Sequence, residues 1–309
     1  MDNLNEGSEA LNYKRTEFKN VDFLNWARQI ILYLFLGFFF WFISGQTAIS
    51  FVPGPSINPR VFETFLEVKK RVPEGSKLLT WWDYGHTLND MGFGTFHDGG
   101  GKQFSPLTYF IARSLVSSDE KELFDITQFL ATEGNSGIIM NNTSSENLLK
   151  AIRSPEKKPW NPIYLFFTAD MTSKYGAISK LGSWDIVKGG SNPSVYQNLN
   201  CNKITNEELN CVGAKVDLKG GFINNRLTLR RIVFIRNGNV ISEKMFRHSK
   251  GFSLQLIVAG KNIVQVQLID EQVFNSNYNQ MFFLGRFPKD LFEESYNAFP
   301  FSRLYRVNY

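Results

Sequence analysis

Apolar and polar positions alternate with three different textures along the chain. Residues 30–43, IILYLFLGFFFWFI, carry no charge, and the uncharged stretch runs from Gln29 to Pro59. That exceeds the roughly 20 residues a membrane helix needs and predicts one transmembrane helix over 29–52. Ser44, Gln46 and Thr47 are its polar exceptions and leave a buried helix as the alternative. Next, RVFETFLEVKKRV (60–72) places Val61, Phe65, Val68 and Val72 at helical spacing, and Pro73-Glu74-Gly75 stops it. Helical periodicity returns at 106–116, at 119–132 with Ser118 as N-cap, and at 145–153. Short apolar runs at 77–80 and 163–168 read as strands. Beyond 212 the texture becomes β: LTLRRIVFIR, NVISEKMF, FSLQLIVA and NIVQVQLI follow one another across glycine-bearing turns, the pattern of an antiparallel meander. The last 35 residues hold a helix-like segment and a closing strand, FSRLYRV.

The fold class this predicts is a mixed α/β exterior domain with a β-rich insertion, preceded by one transmembrane helix. Its expected parts are a polar, poorly ordered N-terminal segment (1–28), the membrane helix (29–52), and an α/β domain (53–309) with the insertion at about 200–272. A Pro/Gly hinge, FVPGPSINP (51–59), separates helix from domain. Charge sets the orientation. Lys14, Arg15, Lys19 and Arg28 precede the span, and no Lys or Arg follows until Arg60, which predicts a cytoplasmic N-terminus and an exterior domain outside.

The two cysteines, Cys201 and Cys211, stand ten positions apart in a polar region. An exterior, oxidising compartment permits a disulfide between them, and two free thiols are the alternative. The net charge of +5 is concentrated in 213–261, where ten Lys or Arg face Asp217 and Glu243 alone. A phosphorylated lipid or an anionic bilayer suits such a surface better than nucleic acid, which an exterior location disfavours, and solvated strand faces explain it most simply.

Candidate chemistry centres on TWWDYG (80–85). In an extended chain Trp81 and Asp83 point one way and Trp82 and Tyr84 the other, with Gly85 as the turn that ends the strand. A ring beside a carboxylate suits a small hydroxyl or amide donor, because the acid accepts the hydrogen bond and the indoles exclude water. Packing at a strand end is the alternative. The glycines nearby fail as a phosphate loop: a dinucleotide fingerprint from Gly92 needs glycine at His97, and a P-loop ending at Gly101-Lys102 needs Ser or Thr at Gln103. Asp83, His86, Asp90, His97 and Asp98 fall within sixteen residues, which raises a metal site, with Asp83, His86 and His97 as ligands, in a metal-dependent hydrolase. No HExxH or GxSxG pattern accompanies them.

WWDYG resembles the signature pentapeptide of the catalytic subunit of oligosaccharyltransferase, in its bacterial form. DGGGK (98–102) is similar to the glycine-rich turn that follows it there, and QMFFLGRFPKDLFEESYNAFPFSRLYRV (280–307) to the family's C-terminal tail. The resemblance implies transfer of a lipid-linked glycan to the asparagine of Asn-x-Ser/Thr, with the pentapeptide binding the Ser or Thr hydroxyl. Carried over, Trp81, Trp82 and Asp83 hold that hydroxyl, and Tyr84 and Gly85 shape the turn.

The family's second recognition element is a helix with a Met-x-x-Ile or Asp-x-x-Lys pair. TADMTSKYGAISKLGSWD (168–185) matches it at Met171, with Lys174 where isoleucine stands, Asp170 one residue too far from Lys174, and Ile178 a turn further on. A helix face packing on the core is the alternative. The family's divalent metal, manganese or magnesium, is held by acids that include an Asp-x-Asp motif, which these 309 residues lack. The resemblance therefore implies the last membrane helix plus the exterior, periplasmic domain of a bacterial inner-membrane enzyme. It places no catalytic residue in this chain and puts most metal ligands outside it. The implied partners are the acceptor protein, lipid-linked oligosaccharide, the membrane and a possible multi-span chain. A membrane-tethered peptide- or glycan-binding module is the non-catalytic alternative.

Overall fold

The computed structural model describes residues 6–50, 57–98, 100, 106–192, 194–205, 207–260 and 262–309. It divides into two compact units, Met1–Ile57 and Asn58–Tyr309. In the first, a single helix, α1 (Glu6–Ser50), runs without interruption. No proline or glycine breaks the sequence between Ser8 and Leu36, and the polar segment continues the helical register of the apolar one. Its portion Phe23–Gln46 is 24 residues with mean hydropathy 1.6 and none of it buried. Among the described residues it is the one helix long and apolar enough to cross a membrane. Most of the expected hinge, residues 51–56, lies outside the described residues.

The second unit opens with α2 (Pro59–Arg71), capped by the Asn58 side chain, which accepts from the Arg60 amide at 2.9 Å. Val61, Phe65 and Val68 turn inward, as their spacing predicts. Strand β1 (Lys77–Leu79) follows, then a 3₁₀ turn (Trp82–Tyr84), α3 (Gly85–Asp90) and β2 (Gly94–Thr95). Helices α4 (Pro106–Val116), α5 (Glu120–Thr132), α6 (Gly134–Asn141) and α7 (Ser145–Arg153) come next. The cap of α5 is Asp119, not Ser118; its carboxylate accepts from the Lys121 amide at 2.9 Å. Strand β3 (Ile163–Thr168) and α8 (Met171–Gly182) complete this stretch.

Nine strands follow: β4 (Tyr196–Leu199), β5 (Cys201–Ile204), β6 (Glu208–Cys211), β7 (Ala214–Asp217), β8 (Phe222–Ile223), β9 (Leu227–Arg236), β10 (Asn239–Met245), β11 (Phe252–Ala259) and β12 (Asn262–Ile269). The chain closes with α9 (Glu271–Asn275), a π-helical turn (Asn279–Phe283), β13 (Phe292–Ala298) and β14 (Ser302–Val307).

One sheet has the order β13-β14-β3-β1-β2, with β1 parallel to both neighbours and β14 antiparallel to β3. All six residues of β3 are buried, so both faces of this sheet are covered there, as an unbroken apolar run requires. The other sheet runs β4-β12-β11-β9-β8-β7-β6-β5, and β10 pairs β9 beside β8. The simple meander is thereby corrected, since β9 and β11 are parallel. Strand β9 is buried on both faces and takes partners along both edges, whereas nearly every residue of β10 is exposed and the strand stays outermost. The two faces of this sheet serve different cores: Val233, Ile235 and Ile257 join the large core of the unit, while Ile232, Leu254 and Leu256 build a smaller one with Leu209 and Val216. A disulfide joins Cys201 to Cys211, which face each other across β5 and β6.

Candidate functional site

The pentapeptide leaves β1 and turns at once. Because Trp82–Tyr84 form a 3₁₀ turn, the strand-like alternation of side chains is corrected: the Trp81 and Trp82 rings lie together, centroids 4.4 Å apart and tilted by 30°. Trp81 is buried at 2 % exposure and Trp82 is half-buried, so one indole anchors the wall and the other lines it. Gly85 does not stop a strand either. It begins α3 in ordinary right-handed conformation, and its necessity is spatial. A Cβ there would lie 2.3 Å from the Asp98 Cα and 2.5 Å from the His97 carbonyl oxygen, both backbone atoms.

That close approach brings His97 behind the two indoles. Its ring stands edge-on to Trp81 at 5.5 Å and to Trp82 at 6.0 Å, and Nε2 bonds the Thr80 carbonyl at 3.0 Å, so Nε2 carries the proton. Burial drives its pKa down to about 4. Tyr84 packs edge-on against Phe65 of α2 at 5.1 Å, and burial together with the neighbouring Asp170 carboxylate pushes its phenol up.

Asp83 remains accessible, its side chain 28 % exposed, and Lys174 of α8 meets it: Nζ lies 2.7 Å from Oδ1. The same ammonium reaches Oδ2 of Asp170 at 3.1 Å. Burial alone would lower the Lys174 pKa, but its bonds to Asp83 and Asp170 outweigh it and the pKa is raised. One oxygen of Asp83 is thus held by a cation, and no other donor among the described residues occupies Oδ2. Met171 is 1 % exposed and Ile178 fully buried, both in the large core, which is the packing role of that helix face. Asp170 and Lys174 are the residues the linear pattern undervalues. Their signal is the i,i+4 acid-to-lysine spacing. Nothing in the sequence marks their meeting with Asp83.

The metal reading is corrected. Among the described residues no group of three His, Cys, Asp or Glu is placed to hold an ion. His97 is sealed under two indoles with its Nε2 proton on a carbonyl, and Asp83 is paired with Lys174. Among the described residues no ligand set is present for the divalent metal that the resemblance implies. Among the described residues the arrangement holds no activated nucleophile; it offers a carboxylate oxygen, an ammonium and an indole wall, groups chemically able to bind a small donor.

The mixed α/β unit has the fold of an oligosaccharyltransferase C-terminal domain. The structure superimposes on the C-terminal domain of C. jejuni PglB with a TM-score of 0.60 at 20 % identity, over 81 % of this chain and 100 % of that one. In sequence, the chain is 30 % identical over 114 residues, 35 % of its length, to the dolichyl-phosphooligosaccharide-protein glycotransferase of Methanocaldococcus jannaschii. The match spans 12 % of that archaeal protein. No family model matches the chain.

Proposed function

We propose that this chain is the acceptor-recognising part of an oligosaccharyltransferase, which moves a lipid-linked glycan to the asparagine of Asn-x-Ser/Thr. The observation that carries this reading is Asp83, exposed beside the Trp82 ring, with one oxygen held by Lys174 and the other available to a hydroxyl. A Thr hydroxyl donates to Oδ2 and its methyl lies on the indole, so the site distinguishes Thr from Ala by one charge-assisted bond. Trp81 and His97 keep the wall in place, and Gly85 lets the backbone segments meet. Transfer itself falls to a multi-span membrane part that brings the metal, manganese or magnesium, and binds the lipid-linked oligosaccharide. The unit 58–309 then works on the periplasmic side of a bacterial inner membrane, where the Cys201–Cys211 disulfide is stable.

The test is equilibrium binding of Asn-x-Thr and Asn-x-Ala peptides to the full chain in lipid nanodiscs, alone and with a multi-span partner. Asn-x-Thr binds more tightly, and Asp83→Ala removes about 1.5–3 kcal/mol of that preference, the range for hydrogen bonds to charged groups. Equal binding of the two peptides in a transfer-competent assembly sinks the reading. Discrimination without transfer in any assembly favours the tethered binding module. Glycan transfer by the purified chain alone refutes the assignment of the chemistry elsewhere.

A further inference from the structure

Beyond the pentapeptide, the exterior unit contains a cavity of about 710 Å³ whose walls come from α4, α6, α7, the end of α8 and the loop after it. Tyr109, Phe110, Ile138, Leu148, Leu181 and Trp184 supply most of the surface. The cavity is built rather than incidental. Phe110, Ile138 and Leu148 belong to the large core, and the loop that forms the far wall is tied down twice: the Tyr109 hydroxyl donates to the Trp184 carbonyl at 2.8 Å and the Ser145 hydroxyl to the Ile186 carbonyl at 3.0 Å. Yet Leu181 and Trp184 remain 39 % and 47 % exposed, and Ile139 and Met140 of α6 stand 65 % and 77 % exposed.

Helix α8 connects this cavity to Asp83. Asp170, Lys174, Ala177 and Leu181 follow at spacings of four, three and four residues, which puts them on one face of the helix. The first two meet at the Asp83 ion pair, and the last two line the cavity. From Lys174 to Leu181 the helix rises about 10 Å, a span that an extended chain covers in about three to four residues.

We propose that this cavity is an apolar subsite for large aliphatic or aromatic side chains of the same polypeptide that docks at Asp83, three to four residues from its hydroxyl-bearing residue. The proposal rests on the acceptor-recognition reading. The wall chemistry argues for side chains and against sugar, whose many hydroxyls need more hydrogen-bonding partners than a lining of this kind gives. The volume exceeds that of one side chain, so an apolar pair fits better than a single residue. Lys180 at the rim has no ion-pair partner among the described residues and disfavours a basic residue next to the pair.

The experiment uses the full chain in nanodiscs and peptides with an Asn-x-Thr core in which a Leu-Phe pair replaces Ser-Ser at each offset from one to six residues on either side. We expect about tenfold tighter binding at offsets three to four on one side only, a part of what full burial of two such residues could give. A benzophenone at that offset should crosslink to Leu181 or Trp184. Ala177→Trp, an exposed position on the connecting face, fills the entrance; it should abolish the gain and leave the Thr-over-Ala preference unchanged. No gain at any offset, with the Thr preference intact, overturns the subsite alone. A gain that survives Ala177→Trp also overturns it, as does protection of the cavity by lipid without peptide. If the Thr preference is absent while the gain persists and Ala177→Trp removes it, the cavity takes apolar polypeptide and the assignment of Asp83 fails.

Discussion

Two cations in the α/β unit each sit between two carboxylates, and they behave as different devices. Arg231 places one guanidinium nitrogen 2.8 and 2.9 Å from the two oxygens of Glu271, approaches Glu243 at 3.8 Å, and lies 4.0 Å over the Phe274 ring. Its side chain is 10 % exposed, and Arg230 and Arg286 bind the same two acids from outside. A planar fork, doubly bonded and stacked on a ring, fastens β9, β10 and α9 together in one geometry. Lys174 joins Asp83 and Asp170 with all three side chains between 27 % and 33 % exposed. A compact ammonium with rotatable donors, open to water and stacked on no ring among the described residues, exchanges partners readily. The first network is a fastening. The second is an accessible ion pair, the one on which the proposed recognition of an acceptor hydroxyl rests.

Acid should separate the two regions most strongly. His97 stays neutral in the fold with a pKa of about 4, while the unfolded chain takes up a proton near the ordinary value of about 6.5. The unfolded state therefore binds more protons between these values. Stability is fully present above about 6.5 and falls as pH drops toward 4, by about 3 kcal/mol. Hydrogen exchange between pH 7 and 4.5 should show amides of 80–97 opening before those of β9, and His97→Gln should flatten that dependence. Simultaneous loss in both regions would break the contrast.

Removing the fastening comes next. Arg231→Met leaves Glu271 and Glu243 with their outer partners only and should cost about 2 kcal/mol in urea unfolding, below the roughly 3–5 kcal/mol of a fully buried pair because the acids are partly exposed. The smallest effect is predicted for Lys174→Met, less than about 1 kcal/mol of stability, as for other accessible ion pairs. Equal costs for the two substitutions would erase the distinction. A small stability cost joined to an altered Thr-over-Ala preference would sharpen it.

Local pattern was a good guide wherever the cause was local. Helix α2 and strands β3, β9, β11 and β12 lie where apolar spacing puts them, because each buries the face its own sequence provides. The chemistry of the pentapeptide was legible as an acid beside rings. Its geometry was not, since the turn at Trp82 depends on Gly85 lying against residues 97 and 98. Lys174 reaches Asp83 across 91 positions, a distance that helical spacing does not report. The parallel pairing of β9 and β11 was missed for a similar reason: adjacent runs joined by turns imply antiparallel neighbours, whereas β10 pairs one edge of β9 and β11 crosses to the other, a choice made between segments and not within one.

The position of β14 governs the order in which this molecule is completed. It lies between β13 and β3, pairing Ser302 with Thr168, so partners about 130 residues apart must meet before the sheet that contains β1 is whole. The nine-stranded sheet is synthesised in the interval and has its own small core and covalent tie. A nascent chain emerging N-terminus first thus leaves one edge of β3 without its β14 partner from the synthesis of Thr168 until that of Ser302, an apolar strand edge open to other pairings for that interval.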